Sequence, residues 1–147
     1  SRVLGDVYKR QVFKRLFSFH LMAITAIVAE DDEANLELFS EILELHNITI
    51  LSKVVNGKEA VESFESKRPD IVFLDIMMPD FDGLYALENI RKIDPSAKVV
   101  MVTADTSSES EDILKKLQPN AVIHKPYEIE TITHVIEDKL NLKIQSN

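Results

Sequence analysis

Residues 69–83 read PDIVFLDIMMPDFDG, and this stretch decides the fold. Ile71 to Leu74 form an unbroken apolar run that ends directly at Asp75. Such a run is typical of a strand in a parallel sheet that helices cover on both faces. A carboxylate at the end of a buried strand has to be solvated, paired or bound to a metal ion. The stretch therefore predicts a buried strand with a polar site at its carboxyl end.

Outward from this stretch, short apolar runs alternate with segments of helical periodicity, which indicates βαβ units. The predicted strands are Ile24–Ala29, Ile48–Val54, Ile71–Leu74, Val99–Thr103 and Ala121–His124. The predicted helices are Glu33–His46 with Asp32 as N-cap, a second that follows the turn Asn56-Gly57 and runs to about Ser66, a third from near Gly83 to before Pro95, one over about Ser108–Leu117 and one over about Glu128–Leu140. Five strands alternating with five helices predict an α/β fold, a doubly wound (βα)5 sandwich around a five-stranded parallel sheet.

In a sheet of this kind, ligands lie beyond the carboxyl ends of the strands. Each residue found there also has an ordinary structural explanation. The acidic run fits a solvated helix start, and the threonine and the lysine alone are unremarkable, but convergence on one edge favours a functional site. The residues at the strand ends are Glu30, Asp31 and Asp32, then Asp75, then Thr103 and Ala104, then Lys125 and Pro126.

These residue types indicate phosphoryl chemistry. Clustered carboxylates repel each other unless a hard cation lies among them, and Mg²⁺ prefers carboxylates together with water and phosphate oxygens. Asp75 is then a nucleophile that attacks phosphorus and forms an acyl phosphate. Thr103 offers a hydroxyl donor and Lys125 a point charge. Pro126 is a candidate for a cis peptide bond that holds Lys125 over the site.

From about Met22 to Leu140 the chain resembles a response-regulator receiver domain of two-component signalling. The resemblance implies the flavodoxin-like, CheY-like strand order 2-1-3-4-5. The motifs that carry it are IVAEDDEAN, VVNGKEAVE, PDIVFLDIMMPDFDG, VVMVTAD and HKPY.

The resemblance also implies roles for individual residues. Asp75 corresponds to the phosphorylated aspartate, and Glu30 and Asp31 to the acidic pair that binds Mg²⁺ with it. Met77 corresponds to the position whose backbone carbonyl completes the metal shell, while Asp32 is not assigned to the metal. The residues that correspond to the family's contacts with the phosphoryl group are Thr103, Ala104 and Lys125.

The chain departs from the family pattern at one position. The family often carries Tyr or Phe three residues before the lysine, where this chain has Val122, and Tyr127 lies in a different place. A β-branched side chain cannot make the swing or the hydroxyl contact of an aromatic one. We therefore expect signalling to rely on the loop after Thr103 and on the fourth helix.

The net charge and the composition limit the classes of binding partner and the cellular location that we expect. The net charge is −8, and no basic patch is found that would suit nucleic acid or an anionic membrane. No apolar run reaches the length of a membrane span, so we expect a cytoplasmic protein that is a monomer or a weak homodimer. The absence of cysteine is compatible with that compartment. As partners, the family implies a sensor histidine kinase or a histidine phosphotransfer protein, and a downstream effector.

The ends of the chain are expected to lie outside the receiver domain, which is predicted at residues 22–141. Residues 1–21 are expected to be an artefactual or disordered extension, since DVYKRQ at Asp6–Gln11 resembles a sequencing-library adaptor read in frame. Residues 142–147 are expected to be a short polar tail.

The sequence has to be compared with four classes of function. The first is a single-domain response regulator, a phosphoacceptor switch and not a turnover enzyme. The second is a docking module that works without phosphorylation, against which the complete set of site residues argues. The third, a hydrolase of the haloacid-dehalogenase type, needs a second Asp where this chain has Met77. The fourth, a DNA-binding regulator, is disfavoured because no basic helix-turn-helix follows.

Overall fold

The computed structural model describes residues 3–12 and 23–146. Within residues 23–146, strands and helices alternate as β1 (Thr25–Ala29), α1 (Glu33–Leu45), β2 (Thr49–Val54), α2 (Gly57–Lys67), β3 (Ile71–Leu74), α3 (Gly83–Ile93), β4 (Val99–Thr103), α4 (Ser108–Leu117), β5 (Ala121–His124) and α5 (Ile129–His134), with a π-helical turn at Val135–Lys139. All neighbouring strands pair in parallel, in the order β2-β1-β3-β4-β5. The predicted fold class and strand order are confirmed.

The helix boundaries follow from caps that the sequence shows. Asp32 is the N-cap of α1, and its side chain accepts from the backbone N–H of Asn35 at 2.9 Å. Asn56 and Asp82 cap α2 and α3 in the same way. Each of these side chains satisfies one of the backbone donors that a helix leaves free in its first turn.

The last helix differs from its prediction as one α-helix from Glu128 to Leu140. It is α-helical only to His134, and the N–H of Leu140 then bonds to the carbonyl of Val135, five residues earlier. Over a single turn, the burial pattern of α- and π-helix is nearly the same, with Val135 and Leu140 both buried. Apolar periodicity therefore could not distinguish the two.

The apolar strands are buried because successive residues face opposite helical layers. Phe73 packs in a core cluster with residues of α1 and α5, whereas its neighbour Leu74 packs in a second cluster with residues of α2 and α3. The same alternation holds for Val28 and Ala29 of β1 and for residues of β4. Two full cores on either side of one sheet explain why these strands read as unbroken apolar runs.

Strand β2 lies on one side of β1 and the later strands lie on the other, and this change in strand order determines where the site lies. The crossover from β1 to β2 runs toward one edge of the sheet, whereas the later crossovers run toward the other. Right-handed crossovers then put α1 on one face and α2 and α3 on the opposite face. The carboxyl ends of β1 and β3 flank the point of reversal, where open α/β sheets bind their ligands.

Helix α4 buries fewer apolar residues than the other helices that pack on the sheet. The apolar residues of α4, Ile113, Leu114 and Leu117, are only half-buried, and Ser110 is the buried residue of this helix. Its C-terminal end is nevertheless fixed by Arg91 of α3. The Arg91 guanidinium donates to the carbonyl of Gln118 at 3.2 Å and to Oδ1 of Asn120 at 2.7 Å. Arg91 thereby ties the turn between α4 and β5 to α3.

The two ends of the chain add detail to the predicted domain boundaries. Residues 3–12 form a helix whose side chains are exposed, while residues 1, 2 and 13–22 of the expected extension lie outside the described part, so the nature of this extension stays a prediction. In the predicted polar tail, Leu142 and Ile144 are half-buried against the core.

None of the helices described is long and apolar enough to cross a membrane.

Two glycines bring the loop between β3 and α3 into close contact with its surroundings. A Cβ on Gly83 would lie 2.0 Å from the carbonyl oxygen of Asp75, and one on Gly57 would lie 2.2 Å from the carbonyl oxygen of Asp82. Both values are far inside van der Waals contact, and both neighbours are backbone atoms. The start of α3 can therefore lie against the end of β3 only because residue 83 has no side chain.

We expect Gly83→Ala to destabilise the fold by about 1–3 kcal/mol, the usual cost of overpacking. The measurement is the free energy of unfolding from urea titration. Gly5→Ala is the matched control, because a Cβ at Gly5 would meet nothing within 4 Å. A Gly83→Ala variant as stable as the wild type would show that this close approach is not required.

Candidate functional site

Two acidic residues lie side by side at the carboxyl edge of the sheet. Glu30 follows β1 directly and Asp75 follows β3, and these two strands are neighbours. Backbone bonds hold both positions, since the N–H of Asp75 donates to the carbonyl of Ala29 and that of Glu30 to the carbonyl of Val54, each at 3.0 Å. Glu30 is 6% exposed and Asp75 is 7% exposed. The sheet therefore buries two carboxylates close together.

Lys125 neutralises part of this charge from the end of β5. Its Nζ donates to Glu30 Oε2 at 2.7 Å and to Asp75 Oδ2 at 3.0 Å. The backbone N–H of Lys125 donates to the carbonyl of Thr103, and the peptide bond between Lys125 and Pro126 is cis. One ammonium group therefore connects the ends of β1, β3 and β5.

The environment shifts the proton affinities of this ion pair. Burial, together with the neighbouring carboxyl of Asp75, raises the pKa of Glu30 from its usual 4.5 to about 7, although Lys125 opposes the shift. Burial lowers the pKa of Lys125, but its bonds to Glu30 and Asp75 outweigh burial and leave the pKa above its ordinary value. Lys125 is therefore protonated at neutral pH, whereas Glu30 gains or loses its proton at a pH close to 7.

A third carboxylate belongs to the same group. Oxygens of Glu30, Asp31 and Asp75 all lie within 4.8 Å of one another, and Asp31 is exposed to solvent. Asp32 instead caps α1 and, through its backbone N–H, donates to Glu30 Oε1 at 3.1 Å. Three carboxylates against one ammonium leave an excess of negative charge that suits a divalent cation.

Met77 lies at the mouth of this carboxylate group. Its side chain is 67% exposed, and its backbone N–H donates to Asp75 Oδ1 at 3.3 Å. This bond is made to one oxygen of the Asp75 carboxylate, while Lys125 Nζ contacts the other, Oδ2. The expected role of the Met77 carbonyl in a metal shell stays a prediction.

Thr103 and Ala104 complete the set of predicted site residues. Thr103 is fully buried at the end of β4, and Ala104 is exposed beside it. Both line a cavity of about 540 Å³ together with Asp75, Met77 and Asp105. The structure therefore brings Thr103 and Ala104 to the same cavity as the carboxylate of Asp75.

Sequence reasoning missed one group of polar residues beside this cavity. Thr103 Oγ1 accepts from the backbone N–H of Asp105 at 3.0 Å, and the carboxylate of Asp105 accepts from Ser107 and Ser110. These residues lie in a run rich in Ser, Thr, Asp and Glu around the predicted start of α4 at Ser108. The N-cap side chain of Ser107 was the available signal, because it accepts from the N–H three residues later.

Val122, at the position where the family often has an aromatic residue, and Tyr127 lie on opposite faces of the sheet. Val122 is half-buried and borders a cleft of about 840 Å³ near α3 and α4. Tyr127 lies on the α1 side, where its ring makes an edge contact with Phe39, with centroids 5.6 Å apart. Tyr127 therefore does not fill the space next to Val122.

Known proteins match both the sequence and this geometry. The family model for the response regulator receiver domain matches residues 26–137. The chain belongs to this family. The chemotaxis protein CheY of Halobacterium salinarum is 33% identical over 119 residues, which cover 81% of this chain and 98% of that protein. The chain therefore contains the receiver domain of a two-component response regulator.

Solved structures of receiver domains show the same architecture. A CheY-like receiver domain from Methanospirillum hungatei has a TM-score of 0.76 and 26% identity, over 81% of this chain and 94% of that one. The receiver domain of a sensor histidine kinase from Pseudomonas aeruginosa, at 20% identity, has a TM-score of 0.74 over 81% of this chain and 98% of its own. That second structure holds a magnesium ion coordinated in its own active-site cleft.

The raised pKa of Glu30 predicts how stability depends on pH without divalent cations. The folded protein keeps the proton of Glu30 up to about pH 7, whereas the unfolded chain releases it near 4.5. The contribution of Glu30 to stability therefore rises as the pH falls from about 8 to about 5.5, by about 2 kcal/mol. The measurement is the free energy of unfolding of the wild type relative to Glu30→Gln in urea with a chelator.

The exposed Glu62 of α2 provides the control, because Glu62→Gln leaves the buried carboxylate pair intact. This variant should follow the pH dependence of the wild type. A constant difference between the wild type and Glu30→Gln across this pH range would contradict the raised pKa.

Proposed function

We propose that the protein is a Mg²⁺-dependent phosphoryl acceptor that takes a phosphoryl group on Asp75 and thereby changes the binding of a partner protein. One observation carries the proposal: the Asp75 carboxylate is bonded to Lys125 at 3.0 Å and grouped with Glu30 and Asp31. The carboxylate also opens onto a cavity that Thr103 lines. A nucleophile, compensating charge and a hydroxyl donor are thus available at one edge of the sheet.

The carboxylate group fits a hard divalent cation. Glu30, Asp31 and Asp75 would hold Mg²⁺, a metal that prefers a few carboxylates and keeps several waters. When bound, Mg²⁺ supplies positive charge to the oxygens of a transferring phosphoryl group. The choice of metal rests on oxygen-only donors, since no His or Cys belongs to the acidic group found among the described residues.

In the transfer step, an oxygen of Asp75 attacks phosphorus and the bond from phosphorus to the donor breaks. With a phosphohistidine donor the broken bond is P–N, and the imidazole leaves with the electron pair and takes up a proton. The product is an acyl phosphate on Asp75. The Lys125 ammonium is within reach of the same carboxylate, and it offsets charge on the phosphoryl oxygens.

Thr103 and Ala104 are proposed as the residues that contact the phosphoryl group from β4. The Thr103 hydroxyl donates to a phosphoryl oxygen, while the small side chain of Ala104 leaves the cavity open. These contacts form only with the phosphorylated state. They therefore give that state a conformation different from the resting one.

The protein is proposed to act as a switch that assists its own phosphoryl transfer and loss, not as a turnover enzyme. Loss of the phosphoryl group requires water to attack phosphorus, which regenerates the Asp75 carboxylate and releases inorganic phosphate. An aspartate-dependent hydrolase positions a second acid two residues after the nucleophile, and this position is Met77. The donor is proposed to be a histidine kinase or phosphotransfer protein, and the output an effector protein.

We expect incubation with Mg²⁺ and acetyl phosphate to add one phosphoryl group, seen in the intact mass, because a small acyl phosphate can replace the protein donor. Asp75→Asn and a metal-free sample should show no gain. Asp80→Asn is the matched control, since Asp80 is exposed in the following loop. A folded protein that binds no Mg²⁺ and gains no phosphoryl group would contradict the proposal and favour a phosphorylation-independent docking module.

Substitutions of the neighbouring residues Asp31 and Asp32 distinguish a residue that binds the metal from one that caps a helix. We expect Asp31→Asn to weaken Mg²⁺ affinity at least about 10-fold, the lower end of the effect of altering residues around a metal site. Asp32→Asn should leave affinity almost unchanged, because Asn caps a helix as well as Asp does. Isothermal titration with Mg²⁺ measures both variants. Equal losses in the two variants would contradict the assignment of Asp31.

A further inference from the structure

A second cavity lies beside the candidate site, on the α1 side of the sheet. Its volume is about 520 Å³, which is within the range of pockets that bind small molecules. It shares Asp75 with the cavity that Thr103 lines, and residues of α1 and of the segment 125–129 form its sides. We name this space the α1 cavity.

Apolar side chains form most of the lining of the α1 cavity. Phe39 and Phe73 are buried, and their rings make an edge contact with centroids 5.1 Å apart. The ring of Tyr127 makes a further edge contact with Phe39. Leu38 and Ile129 also line the cavity but are 54% and 45% exposed, so the cavity opens to solvent beside them. Because aromatic rings favour contacts with other rings, this lining suits a flat apolar group.

The buried end of the α1 cavity carries negative charge. Among the described residues that line it, the charged ones are Glu30, Asp75 and Lys125, so that two carboxylates face one ammonium. Each oxygen of Glu30 accepts one bond, Oε2 from Lys125 and Oε1 from the N–H of Asp32. Since a carboxylate oxygen has two acceptor sites, Glu30 can accept a further donor. A positively charged group is therefore attracted to this end of the cavity, and an anionic group is repelled.

We propose that the α1 cavity binds a small organic cation that has a flat apolar body and a primary ammonium group. The body lies against Phe39, Phe73 and Tyr127, and the ammonium bonds to Glu30. A metal ion can use the carboxylates but not the apolar lining, so this ligand class differs from the proposed Mg²⁺. Both cations use Glu30, and competition between them is the one part of the inference that rests on the proposed function.

The test is a titration of the full chain with phenethylamine, followed by amide NMR spectra at pH 8 in the presence of a chelator. At this pH the amine is protonated, as a lysine side chain is, and Glu30 is above its pKa of about 7. The amides of Leu38, Phe39 and Tyr127 should shift with ligand concentration. The amide of Tyr85, in α3 on the opposite face, should not shift. Unshifted amides around the α1 cavity would overturn the proposal.

Two molecules with the same apolar body separate the effect of charge from that of apolar contact. Phenethyl alcohol has a neutral hydroxyl in place of the ammonium, and hydrocinnamate has a carboxylate. Phenethylamine should bind about tenfold more tightly than the alcohol, because its bond to Glu30 is assisted by charge. Hydrocinnamate should bind more weakly than either. Equal affinities for the amine and the alcohol would contradict the proposed ligand class.

Three variants locate the bound molecule. Glu30→Gln keeps the size of the side chain but removes its charge, so the affinity for phenethylamine should fall about tenfold, to that for the alcohol. Glu41→Gln is the matched control, because Glu41 is exposed on α1 and does not line the cavity. Ile129→Ala shortens an exposed side chain and should weaken the amine and the alcohol alike, about threefold. An unchanged affinity for the amine in Glu30→Gln would overturn the inference.

Addition of Mg²⁺ distinguishes this inference from the proposed function. At about ten times its own dissociation constant, Mg²⁺ should weaken the apparent affinity for phenethylamine about tenfold, because the two cations compete for Glu30. An unchanged affinity at that concentration would show that the ammonium does not lie at Glu30. If Mg²⁺ itself does not bind, the proposed function fails, whereas the titration in chelator still decides whether the α1 cavity binds the organic cation.

Discussion

The ammonium group of Lys125 is the interaction on which the site depends. Parallel pairing of β1 and β3 forces Glu30 and Asp75 together in a buried position, where two like charges are unfavourable. Lys125 contacts both carboxylates from β5, two strands beyond β3, so its long side chain crosses the end of β4. The carboxylates that make the edge reactive are thus the same groups that connect three strand ends, and stability and chemistry share one set of bonds.

Much of this architecture could be predicted from the sequence because its strands are buried on both faces. Two-sided burial produces unbroken apolar runs such as Ile71–Leu74, and these runs fix where each strand ends. Once the ends are known, parallel topology alone brings Glu30, Asp75 and Thr103 to one edge. The capping residue Asp32 was equally readable, because the side chain of an N-cap acts on its own first turn.

Features that depend on distances across the chain were out of reach. The need for glycine at position 83 arises from the carbonyl of Asp75, whose 2.0 Å approach no local pattern records. The contacts of Asp105 with Thr103 and Ser110 required the exact path of the loop, and the π-helical turn after His134 differs from an α-helix by a single residue of bonding offset. In each case the sequence supplies the residue, and only the folded backbone supplies its partner.

The bonds of Arg91 to Gln118 and Asn120 give α4 an asymmetric attachment with a mechanical consequence. If a helix tilts about a point at one end, each residue is displaced in proportion to its distance from that point. Helix α4 has ten residues, so its N-terminal end lies about 15 Å from the turn at Gln118. Any tilt about this turn is therefore largest beside Ser108 and vanishes near Gln118, so that the exposed face of α4 undergoes a gradient of displacement and not a uniform shift.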